Sequence, residues 1–303
     1  MSDRRPLTLH LGAHRTGSTS AQRAIEAWAA READIAFAGP DAFRPALPLV
    51  LGALGAAPAL WRAATPLLLA MAAPAVRRVV TSGAGPRVLS EECILGPMSS
   101  CLLDRRGVYP GAPRRLRAVR RMIGRRPVRP VLTVRAYDEW FVSMYSWTML
   151  LRPLPEAAAL AEEWAGRARG WPEVVSEIVE VFGGCEVIEF GAVRRDPGAV
   201  LTALIGESGA EIPVERAGAS LSAAGLAEVA ERRRAGEAVG IADLGPIRAR
   251  HRGGPPLQPF SAPTLAALEA RYRRDLARIE ASGATMTRAR PAASDHSGSA
   301  VST

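Results

Sequence analysis

Three groups of residues carry types and spacings suited to chemistry. The first is Gly12-Ala13-His14-Arg15-Thr16-Gly17-Ser18-Thr19-Ser20. Its two glycines bracket a tight loop, and Arg15 adds a full positive charge. Loop N–H groups, a helix N-terminus and the hydroxyls of Thr16, Ser18 and Thr19 complete an anion site. The spacing from Gly12 to Gly17 matches the triphosphate loop G-x-x-x-x-G-K-[ST], but Ser18 stands where that loop has its lysine. Kinase or ATPase chemistry lacks its phosphate-reaching cation here, while a phosphate-like anion still fits. So does an ordinary strand–turn–helix corner with no ligand. The second group is Arg135 with Ser143, eight positions and about two helical turns apart, able to face one anion together. The third is Glu91-Glu92. A carboxylate there can serve as general base toward an acceptor hydroxyl. Equally, the acidic pair can cap a helix or pair with arginines.

The elements that must position these groups are legible in outline. Leu7, Leu9 and Leu11 alternate and predict a short buried strand, and Ser18-Thr19-Ser20 supply N-cap chemistry for a helix to about Arg31. Ile35-Ala36-Phe37 predicts a second strand, and Val88-Leu89 a third with Glu91 and Glu92 at its carboxyl end, the edge where open α/β sheets hold ligands. Leu116, Val119 and Ile123 share one helix face. After Pro127 and Pro130, Val131–Val134 forms a buried strand delivering Arg135, and a helix starts near Tyr137 with acids in its first turn. Cys185–Phe190 reads as a further strand, with helices through Val200–Leu204 and along the stripe Leu265, Leu268, Tyr272, Leu276, Ile279. Strands alternating with helices imply an α/β fold with a central, mostly parallel sheet flanked by helices in three layers. Residues 1–282 form a single domain. Within it, 45–82 read as a helical insertion or lid cut by prolines, with Trp61 a core aromatic, and 283–303 as a disordered tail.

The 303 residues can bury a sizeable core, and a net charge of +9 favours anionic partners. The chain contains no lysine and no asparagine, so all 39 basic residues are arginine, as a GC-rich genome would produce. An arginine can therefore stand where chemistry elsewhere uses lysine. From Arg105 to Arg135 there are eleven arginines and no acid, either a solvated face or an anion-attracting rim. Nucleic acid is disfavoured, because no aromatic interleaving accompanies the charge. Cys93, Cys101 and Cys185 form no C-x-x-C pair, which suits a reducing compartment and argues against a metal site. Met-Ser-Asp-Arg-Arg runs into the first strand without an apolar leader, and no apolar run reaches membrane-spanning length, so a cytoplasmic location is expected.

Leu9-His10-Leu11-Gly12-Ala13-His14-Arg15-Thr16-Gly17-Ser18-Thr19, taken with Arg135 and Ser143-Met144-Tyr145, resembles the PAPS-dependent sulfotransferases, most closely their bacterial sulfotransferase-like and carbohydrate branches. PAPS is 3′-phosphoadenosine 5′-phosphosulfate. The resemblance spans about residues 5–210, with specific motifs only near 10–20 and 135–143. It implies a P-loop-like fold and transfer of a sulfuryl group from PAPS to a hydroxyl or amine on a small molecule or glycan, with no metal. Gly12, Arg15, Thr16, Gly17, Ser18 and Thr19 would hold the 5′-phosphosulfate, and Arg135 and Ser143 the 3′-phosphate. Arg15, Glu91, Glu92 and His14 are the catalytic candidates. Arg15 departs from the family's lysine, since guanidinium is planar and does not readily release a proton. That departure keeps a weakened or inactive PAPS-binding relative open as a second reading, with a small-molecule kinase third.

Overall fold

The computed structural model describes residues 6–31, 35–43, 67, 70, 71, 73, 74, 76, 77, 87–206, 209, 212–215 and 220–288. Most of the expected 45–82 insertion, including Trp61, lies outside the described residues, as does the tail from 289.

Apolar four-residue runs build the sheet's middle. β1 (Leu7–His10) lies between β3 (Arg87–Ser90) and β4 (Val128–Val134), with β2 (Ala36–Ala38) outside β3 and β5 (Glu186–Glu189) and β6 (Thr285–Thr287) outside β4. All neighbouring pairs are parallel, in the order β2-β3-β1-β4-β5-β6. The mostly parallel expectation thus becomes wholly parallel. Every residue of β1 and β3 is buried, as befits strands covered on both faces.

Alternation divides the core. Val88, Val131 and Ile188 face one layer, packed by Ala21, Ala24 and Ile25 of α1 (Ser18–Ala29) and by Val200, Leu201 and Leu204. Leu7, Leu9, Leu89, Leu132 and Val187 face the opposite layer. In chain order this second layer comprises α2 (Met98–Leu103), α3 (Ala112–Ile123), α4 (Tyr137–Met149), α5 (Ala157–Ala165) and α6 (Trp171–Phe182). The first layer is completed by α7 (Phe190–Arg195) and α8 (Gly198–Ile205). The chain then returns to the second with α9 (Ala223–Arg234), α10 (Leu244–Arg250) and α11 (Ala262–Ala281). Leu116, Val119 and Ile123 are buried on α3, and Leu268, Tyr272, Leu276 and Ile279 on α11, matching their stripes. Among the described residues, no helix is long and apolar enough to cross a membrane.

Three expectations need correction. Pro130 lies inside β4, paired with Leu9 of β1, rather than ahead of it. Val131 carbonyl accepts from Leu11 on the β1 side, so Pro130 faces the β5 side, and β5 pairing begins only at Val131. Its missing N–H therefore falls where no partner strand exists. The tail does not begin at 283, because Thr285–Thr287 adds an edge strand whose Thr285 N–H donates to Cys185 carbonyl at 3.1 Å. And α1 is not capped by Ser18–Ser20: Gly17 is its N-cap, with no side-chain capping bond.

Candidate active site

From β1 the chain passes through α1 to β2 on one side of the sheet, whereas β4 connects onward to β5 on the other. Loops leaving adjacent strands in opposite directions open a crevice at their carboxyl ends. The glycine loop leaves β1 there, and Arg135 leaves β4 there.

The loop's shape depends on two glycines and one arginine. Gly17 has φ +89°, which a glycine adopts at little cost, and Gly12 is tight enough that a Cβ would lie 2.9 Å from His10 Nε2. Arg15 also adopts positive φ, at 65°. Its partners hold it there. Arg15 Nε donates to Ser143 Oγ at 3.0 Å, its guanidinium lies 5.1 Å from the Trp147 ring, and its carbonyl accepts from Arg135 Nη1 at 2.8 Å. Arg135 also donates from Nε to Glu139 at 3.2 Å and stacks 4.4 Å above Phe190. Tryptophans fix the backbone around this cluster: Trp140 Nε1 donates to His14 carbonyl at 2.7 Å and Trp171 Nε1 to Arg135 carbonyl at 2.9 Å.

Thus Arg15, Arg135 and Ser143, separated by up to 128 positions, meet. Burial pushes the Arg15 guanidinium down to about 10, with repulsion from Arg135 and Arg248 adding to it, and burial also lowers Arg135. Gathering desolvated like charges costs stability that a bound anion would offset. Ser220 Oγ donates to Ser143 Oγ at 3.2 Å, so the approach to α9 also reaches this corner.

The other predicted residues divide. Ser18 is buried at the start of α1 and Thr19 is exposed. Thr16 is buried and its hydroxyl donates to Ala13 carbonyl at 2.6 Å, so its proton serves the loop and not a ligand. Glu91 is fully buried, and its carboxylate accepts from Cys93 N–H at 2.8 Å as the cap of the single 3₁₀ turn Glu92–Ile94. That corrects its candidacy as a base: a carboxylate spent on a cap and sealed from solvent cannot meet an acceptor. Glu92 accepts from Gln22 Nε2 at 3.0 Å, and the same amide donates to Ser90 Oγ at 3.0 Å. Ser90 Oγ is in turn hydrogen-bonded to His10 Nδ1 at 2.8 Å. His10 is wholly buried, and burial pushes it down to about 4, leaving it neutral.

No protein-family model and no curated protein matches the chain.

His14 is clamped. Its backbone N–H donates to Tyr109 Oη at 2.9 Å, and Nδ1 lies 2.8 Å from the same oxygen. Burial raises the Tyr109 phenol well above its ordinary value, so Tyr109 stays protonated. His14 Nε2 points to Cys93 Sγ at 3.8 Å. Sequence spacing missed Tyr109, Cys93, Arg248 and Ser220, which reach the site from distant loops and helices. Gln22 had a signal: it lies four positions after Ser18 and so on the same helix face.

Among the eleven arginines from Arg105 to Arg135, four engage acids away from the site. Arg105 pairs with Glu163, Arg106 with Asp104, Arg117 with Glu180 and Arg129 with Glu186. Asp104 beside the run and three acids distant in sequence thus take up part of its charge.

Proposed function

We propose that the protein is a PAPS-dependent sulfotransferase acting on a hydroxyl or amine of a small molecule or glycan. The observation that carries this reading is the convergence of Arg135 and Ser143 on Arg15 at the crevice between β1 and β4. Two anion anchors fit a nucleotide charged at both its 5′ and 3′ positions. When bound, PAPS supplies the sulfuryl group. The glycine loop, with Arg15 and Ser18, would hold the 5′-phosphosulfate, and Arg135 with Ser143 the 3′-phosphate. Arg15 remains cationic at neutral pH even when pushed down to about 10. It would stabilise charge developing on the leaving phosphate without needing to give up its proton. Glu92, held by Gln22, is the remaining carboxylate candidate to take the acceptor's proton, with His14 beside it. The cytoplasm is the proposed location.

Arg15 in place of lysine supports the second reading, a weakened or inactive PAPS-binding relative. The kinase reading lacks such support, since Ser18 occupies the lysine position. Calorimetric titration with PAP, the desulfated nucleotide, tests the proposal. PAP is expected to bind more tightly than ATP with magnesium, and Arg135→Ala to weaken it on the order of 100-fold. Preference for ATP with magnesium would overturn the reading. Sulfate appearing by mass spectrometry on some acceptor of a cell extract given PAPS separates an enzyme from a binder.

A further inference from the structure

A second reactive cluster borders the crevice. Cys93 is half-buried, while Cys101 and Cys185 are buried and burial raises both thiols, Cys101 to about 12. The Cys93 sulfur lies 3.8 Å from Nε2 of His14, whose other ring nitrogen is held by the Tyr109 phenol. Beneath it lies Arg115, only 4 % exposed. Among the described residues Arg115 has no carboxylate partner. Its guanidinium donates to the Cys93 carbonyl at 3.5 Å; burial lowers its pKa, and negative charge on Cys93 would oppose that. Nothing in the transfer chemistry proposed above uses either group. The Glu91 carboxylate, which accepts from the Cys93 N–H, opposes negative sulfur, whereas Arg115 favours it. A buried cation without a carboxylate is costly unless an anion faces it.

We infer that Cys93 is a modification site: a nucleophilic thiolate that reacts with peroxides and soft electrophiles. In the peroxide reaction the thiol first releases its proton. The sulfur then attacks one peroxide oxygen, the S–O bond forms as the O–O bond breaks, and sulfur gives up two electrons. The departing hydroxide takes up a proton, leaving a sulfenic acid and water. The sulfenic group engages His14 Nε2 and draws His14 away from an acceptor. This last consequence rests on the sulfotransferase reading, but the reactivity does not.

The test uses the full chain, with iodoacetamide and separately hydrogen peroxide followed by dimedone, read by peptide mass spectrometry. Cys93 is expected to be alkylated at least 10-fold faster than the same thiol in urea at pH 7, and to carry the dimedone adduct. Arg115→Gln and His14→Ala are each expected to slow alkylation several-fold, with folding checked by circular dichroism. A native rate no faster than in urea would overturn the inference. So would folded variants that react at the wild-type rate. Because PAP binding is measured apart from labelling, failure of one proposal is distinguishable from failure of the other.

Discussion

At the scale of single residues, buried polar groups beneath the glycine loop tie its geometry to protonation. Gln22 gives both amide hydrogens, to Glu92 and Ser90, and Ser90 Oγ is hydrogen-bonded to His10 Nδ1. His10 Nε2 then lies against Gly12, where a side chain would collide with it. Folded His10 is neutral down to about pH 4, whereas in the unfolded chain it takes a proton near its ordinary 6.5. The stabilisation from keeping it neutral is therefore fully present above pH 6.5 and is lost as pH falls from there toward 4, by on the order of 3 kcal/mol. Urea denaturation at pH 7.5 and 4.5 checks this. Folded His10→Gln is expected to lose less stability across that interval than the wild type, and an equal loss would exclude His10 as the source. Residue types in the opening loop were legible because glycines, hydroxyls and a cation are clustered in sequence. Which of Glu91 and Glu92 faces the crevice was not, since that depends on a 3₁₀ turn that makes one of them a cap.

Among the elements, those with a strong apolar period were readable and those that borrow stability from neighbours were not. β1, β3 and β4 announce themselves as buried runs, and α3 and α11 by their stripes. β6 is three residues long, with Thr285 and Thr287 exposed, so neither length nor hydropathy marks it. Only the open edge of β5 makes it a strand. Thr285→Pro removes its bond to Cys185 and is expected to cost about 1–2 kcal/mol. Urea denaturation reads that cost, and hydrogen exchange should show faster opening of β5 amides while β1 amides are unchanged. Equal protection of β5 in the variant would mean that β6 contributes nothing to the sheet.

Across the whole molecule, a net charge of +9 does not act as a uniform field. Ion pairs formed by the Arg105–Arg129 run engage acids on other elements, and surface pairs of this kind are screened and individually weak. Arg15, Arg135 and Arg248 instead share one desolvated corner. Arg105→Gln and Arg117→Gln are thus expected to leave PAP affinity within about twofold, while Arg248→Gln lowers it about tenfold or more. Titration calorimetry at two salt concentrations separates the two behaviours. An equal loss in all three variants would mean that long-range charge, and not the corner, attracts the ligand.

The indole rings around the loop give this molecule an optical property. Trp147 lies under the Arg15 guanidinium, and Trp140 and Trp171 hold the carbonyls of His14 and Arg135. An indole's emission responds to the electric field and the hydrogen bonding around it. Neutralising that corner changes the field at Trp147 first. The intrinsic ultraviolet fluorescence of the unlabelled chain is thereby expected to report an anion bound at that corner, through the same contacts that hold Arg15 in its left-handed turn.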